Sequence, residues 1–98
     1  MKVSWTETAT NQVLDIAEYI SVDSSKNASK WVDDIHEKAE SLIHHPYKYP
    51  EPEGACNTHI RECIFGNFRI IYRIDPDIIY IMNVKRGAQE KNDEDYIE

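Results

Sequence analysis

The chain has 98 residues, of which 41% are hydrophobic and 30% charged, and its formal net charge is −7. This length suits one small domain, and this apolar content argues against an intrinsically disordered chain. The longest apolar runs are far shorter than the ~20 residues of a membrane-spanning helix, and the first residues lack the pattern of an export signal. We therefore expect a cytoplasmic protein that has no membrane segment.

The first half of the chain predicts one strand followed by two helices. Residues 2–5 alternate between polar and apolar side chains, as in a strand, and Thr6 is suited to cap a helix. Apolar residues then recur at helical spacing on one face: Ala9, Val13, Ile16, Ala17 and Ile20. After an interruption at residues 21–25, a second stripe is formed by Ala28, Trp31, Val32, Ile35, Ala39, Leu42 and Ile43. Pro46 ends the second helix.

The second half predicts three strands. Residues 46–57 contain three prolines and a glycine and predict a loop, after which residues 60–65 form a strand. Gly66-Asn67 predicts a two-residue hairpin turn. Residues 68–74 alternate between apolar and other side chains, which predicts a strand. Residues 78–85 are apolar on both faces, as in a strand inside a sheet. The predicted fold class is α+β, in the order β-α-α-β-β-β. A helical hairpin packs on a small antiparallel sheet, with a shared core of Trp31, Ile35, Leu42, Ile70 and Tyr72.

We expect residues 1–89 to form the domain and residues 90–98 to form an acidic tail. These last nine residues contain five acidic side chains and one lysine. Such a composition is typical of a loosely ordered segment that projects from a domain.

The cations are concentrated in the predicted strands. All four arginines lie within residues 60–86, which carry five positive and three negative charges, although the whole chain is acidic. Guanidinium groups bind phosphates and carboxylates bidentately. We expect an anion- or partner-binding surface near Tyr72, formed by Arg61, Arg69, Arg73, Lys85 and Arg86. The alternative is that each arginine extends its stem along the sheet into water.

The predicted hairpin register supports part of this surface. Pairing across the turn sets Phe65 opposite Phe68, Cys63 opposite Ile70 and Arg61 opposite Tyr72. Alternation places Arg69 and Arg73 on one face, with Arg61 on the neighbouring strand.

The two cysteines, Cys56 and Cys63, suggest reduced thiols. With His59 they resemble part of a zinc site that His36, His44 or His45 would complete. Structural zinc sites favour close-spaced ligands in pairs at each end, however, so packing explains Cys63 more simply. We expect no metal and no cofactor.

The strand cluster contains part of what a metal-independent ribonuclease needs. Such an enzyme requires a base for the 2'-hydroxyl, cations for the developing phosphorane charge and an acid for the leaving oxygen. If the chain is a nuclease, its catalytic residues are expected to be Arg69, Tyr72 and Arg86. No histidine lies in the cluster, and the carboxylates near it are Glu62, Glu51 and Glu53, so this set is incomplete.

The order and spacing of these segments resemble the RelE/ParE superfamily of bacterial type II toxins, especially its ParE or plasmid-stabilisation branch. The residues that carry the resemblance are Val3-Ser4-Trp5-Thr6, Ala9, Ile16-Ala17-Glu18-Tyr19-Ile20, Ala28, Trp31, Val32, Leu42, Pro46, Arg61-Glu62, Phe68-Arg69-Ile70-Ile71-Tyr72-Arg73-Ile74 and Arg86-Gly87-Ala88-Gln89. The resemblance implies a β-α-α-β-β-β fold and a toxin held inactive by a cognate antitoxin. It also implies either inhibition of DNA gyrase or ribosome-dependent cleavage of mRNA.

Two departures bear on the choice of target. Arg86 stands where the family has its closing histidine, and Gln89 stands where it has an arginine. The acidic chain also repels polyanionic RNA. Our favoured hypothesis is therefore a ParE-like toxin that inhibits DNA gyrase without catalysis. The alternatives are a RelE-like endonuclease that acts on mRNA at the ribosome, with Arg69 on the phosphate, or a degenerate, non-toxic module that only binds the antitoxin.

Overall fold

The structure, a computed structural model, describes residues 1–87. Strand β1 (Lys2–Trp5) is followed by helices α1 (Glu7–Ser21) and α2 (Ser25–Ser41) and a short 3₁₀ helix (Leu42–His44). Strands β2 (Ile60–Phe65), β3 (Phe68–Ile74) and β4 (Ile78–Arg86) complete the chain order. This order confirms the predicted fold class. The acidic tail predicted for residues 90–98 lies outside the described residues.

The four strands form one sheet in the order β1-β4-β3-β2. Strands β2, β3 and β4 pair antiparallel, and Phe65–Phe68, Cys63–Ile70 and Arg61–Tyr72 are opposite each other, as predicted. The sheet is mixed rather than wholly antiparallel, because β1 pairs parallel to β4. The prediction that β4 lies inside the sheet is confirmed, since it has a strand on each side.

Both helices begin at side-chain caps. Thr6 Oγ1 accepts a hydrogen bond of 3.1 Å from the Ala9 amide, and Ser24 Oγ accepts one of 3.1 Å from the Asn27 amide. These contacts satisfy amides that the first turn of a helix leaves without a partner. Buried residues of both helices belong to one core cluster together with residues of the sheet.

The core lies between the helices and one face of the sheet. The predicted core residues Ile35, Leu42, Ile70 and Tyr72 are buried, and the half-buried Trp31 packs against them. The Trp31 ring lies 5.2 Å from the Phe68 ring, measured between centroids. In β3 every second residue from Phe68 to Ile74 is buried, which confirms that one face of this strand belongs to the core.

The loop between the 3₁₀ helix and β2 is held by hydrogen bonds to the strands. The Tyr72 hydroxyl donates to the Pro46 carbonyl at 2.6 Å, the Glu62 amide donates to the Pro50 carbonyl at 2.8 Å, and the Ile74 amide donates to the His59 carbonyl at 2.8 Å. The loop therefore has a fixed path although it has no regular structure. No helix within residues 1–87 is long and apolar enough to cross a membrane.

We predict that Tyr72→Phe lowers the free energy of unfolding by roughly 1–3 kcal/mol, because a part-buried carbonyl at Pro46 loses its donor. Urea unfolding of the purified chain measures this change. Tyr19→Phe is the matched control, since Tyr19 is 68% exposed, and it should change stability little. Equal stabilities for Tyr72→Phe and the parent would contradict the anchoring role of this hydroxyl.

Candidate functional site

Two cations face each other on the side of the sheet that points away from the helices, which we call the outer face. Arg69 of β3 lies directly opposite Lys85 of β4. Arg69 stands between two buried core residues, and Lys85 follows the buried Val84. Side chains opposite each other in neighbouring strands have Cβ atoms about 4.5–5.5 Å apart, and like charges at that distance destabilise a sheet. An anion placed between the two would relieve this repulsion. We call these residues the Arg69–Lys85 pair.

A buried carboxylate partly neutralises this pair. Glu62 of β2 is only 3% exposed, and its Oε1 lies 3.6 Å from an Arg69 guanidinium nitrogen. A carboxylate buried to this degree requires a nearby positive charge. Arg69 therefore supplies the positive charge that the buried Glu62 carboxylate requires, but 26% of the Arg69 side chain stays exposed. Lys85 is exposed and carries the second positive charge.

Arg73 shares the outer face but its charge is balanced locally. Its Nε and one terminal nitrogen donate to the two carboxylate oxygens of Asp75, at 3.1 and 3.3 Å. The guanidinium also lies 4.9 Å from the centroid of the Tyr80 ring. Arg73 is thus held by two neighbours, and it offers an incoming anion less free charge than the Arg69–Lys85 pair does.

Arg61 lies on the opposite face of the sheet, so the expectation that it joins Arg69 and Arg73 is wrong. Because Arg61 is opposite Tyr72, it points to the same face as that core residue. Its guanidinium donates to the carbonyls of Tyr47 and Tyr49 at 3.1 and 2.9 Å and stacks on the Tyr47 ring at 4.9 Å. These contacts anchor the loop between the 3₁₀ helix and β2 to Arg61.

Arg86 also lies on the helix side of the sheet. It is opposite Phe68, and its guanidinium lies 5.3 Å from the Phe68 ring and 4.8 Å from the Tyr19 ring. These contacts join the end of β4 to α1. The expected convergence of all five cations is therefore wrong, because the sheet separates Arg61 and Arg86 from Arg69, Arg73 and Lys85.

Tyr72 is buried behind the sheet rather than exposed beside the cations. Burial raises the pKa of its phenol well above the ordinary value, and its hydroxyl already donates to Pro46. A catalytic role for Tyr72 stays a prediction. The burial of the phenol and its hydrogen bond to Pro46 disfavour that role. Arg69 and Arg86, the other two expected catalytic residues, lie on opposite faces.

The sulfur and imidazole groups do not assemble a metal site in the described part of the chain. Cys63 is fully buried in the core, where burial raises the pKa of its thiol, and Cys56 is exposed. Within residues 1–87 no group of three or more His, Cys, Asp or Glu side chains is placed to hold a metal ion. The His59 imidazole instead lies 2.8 Å from the Tyr47 hydroxyl.

A groove lies between the two helices, and the sequence patterns did not predict it. It measures about 540 Å³ and is lined by Leu14, Ala17, Glu18, Ser21, Ser25, Ala28, Ser29, Val32 and Asp33. The lining includes small alanine and serine side chains, the 60% exposed Leu14 and the carboxylates of Glu18 and Asp33. The signal in the sequence was the concentration of alanine and serine where α1 ends and α2 begins.

Comparison with known proteins identifies the family. The family model of the ParE toxin of the type II toxin-antitoxin system parDE matches residues 3–91. A chain of the chromosomal ParDE toxin-antitoxin system from P. aeruginosa is similar in structure, with a TM-score of 0.75 and 22% identity, over 88% of this chain and 95% of that chain. At this identity the likeness shows the shared fold alone. No curated protein matches the chain.

The family match covers every described strand and helix except Lys2, the first residue of β1. It confirms the resemblance that the strand and helix motifs indicated. The chain belongs to the family of ParE toxins of type II toxin-antitoxin systems.

Proposed function

We propose that this toxin arrests growth in the cytoplasm by binding DNA gyrase through the outer face of its sheet, without cleaving a substrate. The observation that supports this proposal most is the Arg69–Lys85 pair, which supplies positive charge on the outer face. None of the four strands that the structure describes contains a histidine. Tyr72 is on the other side of the sheet, and Glu62 is buried against Arg69.

This arrangement suits binding better than catalysis. Cleavage of RNA needs a base and an acid within hydrogen-bond reach of the reacting oxygens, in addition to cations. Within residues 1–87, the outer face provides cations, and the carboxylates of Glu62 and Asp75 are already paired with Arg69 and Arg73. The net charge of −7 also opposes association with RNA, since phosphate neutralisation supplies most of the nonspecific affinity for nucleic acids. A protein surface that presents carboxylates is the more suitable ligand for this face.

We also propose that a cognate antitoxin neutralises the toxin by laying an amphipathic helix in the groove between α1 and α2. The solved relative is described as part of a ParDE system, which supports such a partner. The apolar residues that line the groove would contact the apolar face of that helix, and the carboxylates of Glu18 and Asp33, which also line it, would favour lysine or arginine in the partner. The toxin domain in this proposal is residues 1–89.

We predict that Lys85→Ala weakens gyrase inhibition while leaving the fold intact, because Lys85 is exposed and the contact between Arg69 and Glu62 remains. Arg69→Ala should weaken it further, but it also leaves the Glu62 carboxylate without its cation and so reduces stability. Induction in cells, followed by plasmid supercoiling and primer extension on mRNA, measures both activities. Lys30→Ala is the control, since Lys30 pairs with Asp34 on the exposed side of α2.

Three results would distinguish the possible functions. Altered supercoiling with intact mRNA supports gyrase as the target. Specific mRNA cuts that disappear in Arg69→Ala would establish the endonuclease instead. Normal growth on induction of the soluble parent would indicate a degenerate module that only binds the antitoxin.

We predict that Leu14→Ser weakens the antitoxin complex about tenfold without changing the stability of the toxin, because an exposed apolar contact of the groove is lost. Binding of the small protein encoded beside this gene, measured by titration calorimetry, tests this. Ile64→Ser is the matched control, since Ile64 is a 49% exposed aliphatic residue on β2, away from the groove. Equal losses of affinity for the two variants would show that the partner does not use the groove specifically.

A further inference from the structure

We propose that a pocket at the end of α2 binds the phosphate monoester of a small ligand through Lys38 and Lys48. The pocket measures about 370 Å³, near the lower end of the ~300–1,000 Å³ that small-molecule sites occupy. It is lined by Lys38, Ser41, His44, His45, Lys48 and Tyr49. It shares no lining residue with the groove between the helices, and the inference does not depend on the target of the toxin.

The lining of this pocket brings positive charge together in a chain whose net charge is −7. The Nζ atoms of Lys38 and Lys48 each lie 5.5 Å from the centroid of the Tyr49 ring, so they are no farther apart than twice that distance. A hydrogen bond with the Tyr49 side chain raises the pKa of Lys38, so this ammonium is charged at neutral pH. Within residues 1–87, none of the lining residues is an aspartate or a glutamate. A dianion in the pocket would be attracted by both lysines.

The backbone that carries Lys48 and Tyr49 is fixed before any ligand binds. The Lys48 amide donates to the His45 carbonyl at 3.1 Å, and Arg61 of β2 donates to the Tyr49 carbonyl at 2.9 Å. The next carbonyl, that of Pro50, accepts from a backbone amide of β2 at 2.8 Å. A site that is already ordered loses less conformational entropy on binding. The anchored loop therefore gives the pocket a preformed wall.

The dipole of α2 explains only part of this cluster. Cations are stabilised near the last carbonyls of a helix, which accounts for Lys38 in the last turn of α2 and for His44 in the 3₁₀ helix. Lys48 comes after both helices, and the loop brings it to the same pocket. Two ammonium groups that line one pocket repel each other. An anionic ligand accounts for this arrangement, whereas capping of the helix does not require Lys48.

The surroundings of the pocket favour a small ligand over a nucleic acid. A neighbouring cavity shares Lys38 and Ser41 with it and is also lined by Asp34, Glu37 and Phe65. The two carboxylates and the net charge of −7 would repel the successive phosphates of a polyanion. A single phosphate monoester needs only the cationic pocket. It carries about −1.5 to −2 charges at pH 7 and three acceptor oxygens, which suits two ammonium groups and the hydroxyl and imidazole groups beside them.

Titration of the full chain with adenosine 5'-monophosphate, followed by amide NMR shifts at constant ionic strength, tests this site. Inorganic phosphate and adenosine, which lacks the phosphate, are titrated alongside. We expect the nucleotide and inorganic phosphate to shift the amides of Ser41, Lys48 and Tyr49 with dissociation constants in the millimolar range, and adenosine to leave them unchanged. Equal affinities for the first two would identify the phosphate group alone as the determinant. Tighter binding of the nucleotide would support the site and add a contact with the nucleoside.

Charge variants assign the binding to the two lysines. Lys48→Gln and Lys38→Gln should each weaken nucleotide binding about fivefold, whereas Lys48→Arg should retain it. Lys48 is exposed, so its substitution should leave the amide spectrum of the rest of the domain unchanged. Lys26→Gln is the matched control, because Lys26 is an exposed lysine in the first turn of α2, about 18 Å along the helix from Lys38.

Three results would overturn the proposal. Adenosine that binds as tightly as its monophosphate would show that the phosphate is not recognised. Nucleotide affinity that Lys48→Gln and Lys26→Gln change equally would place the binding outside this pocket. A short single-stranded DNA that binds more tightly than the nucleotide and loses affinity in Lys48→Gln would show that the ligand is a nucleic acid instead.

Discussion

The hydroxyl of Thr6 joins the two ends of the described chain, and the rest of the structure depends on this junction. Thr6 Oγ1 accepts from the Ala9 amide and donates to the Ile81 carbonyl at 2.9 Å, while the Thr6 amide donates to the same carbonyl at 3.1 Å. One side chain thus ends β1, begins α1 and fixes both to β4. Because β4 lies between β1 and β3, its position determines where Lys85 meets Arg69.

The register of β4 changes just beyond this junction, and α1 compensates for the change. The pairing of β3 with β4 shifts between Ile71 and Tyr72, so that Met82 is the extra residue of a bulge. Gln12 of α1 then replaces the missing strand neighbour, since its Oε1 accepts from the Val84 amide at 2.7 Å and its Nε2 donates to Asn83 at 3.2 Å. The end of β4 is therefore paired on both sides, and it presents Lys85 on one face and Arg86 on the other.

Local patterns determined much of this fold, whereas tertiary contacts determined the site. Period-two alternation and the Gly66-Asn67 turn predict the β2–β3 register correctly, because a one-residue shift would turn the core side chains of β3 to the outer face. The same register already implies that Arg61 and Tyr72 share a face, so the separation of Arg61 from Arg69 was present in the sequence. Local patterns did not predict three other features: the parallel pairing of β1, the bulge at Met82 and the partners of Arg86. These features depend on contacts between residues more than 60 positions apart or on the packing of α1.

We propose that this ParE family member acts by binding rather than by cleavage, and a purified system tests this proposal most directly. The measurement is the supercoiling of relaxed plasmid by purified DNA gyrase in the presence of the purified chain, with mRNA integrity followed in parallel in a cell-free translation reaction. We expect that supercoiling is inhibited and that the mRNA stays intact. Unimpaired supercoiling together with specific cuts in the mRNA would contradict it.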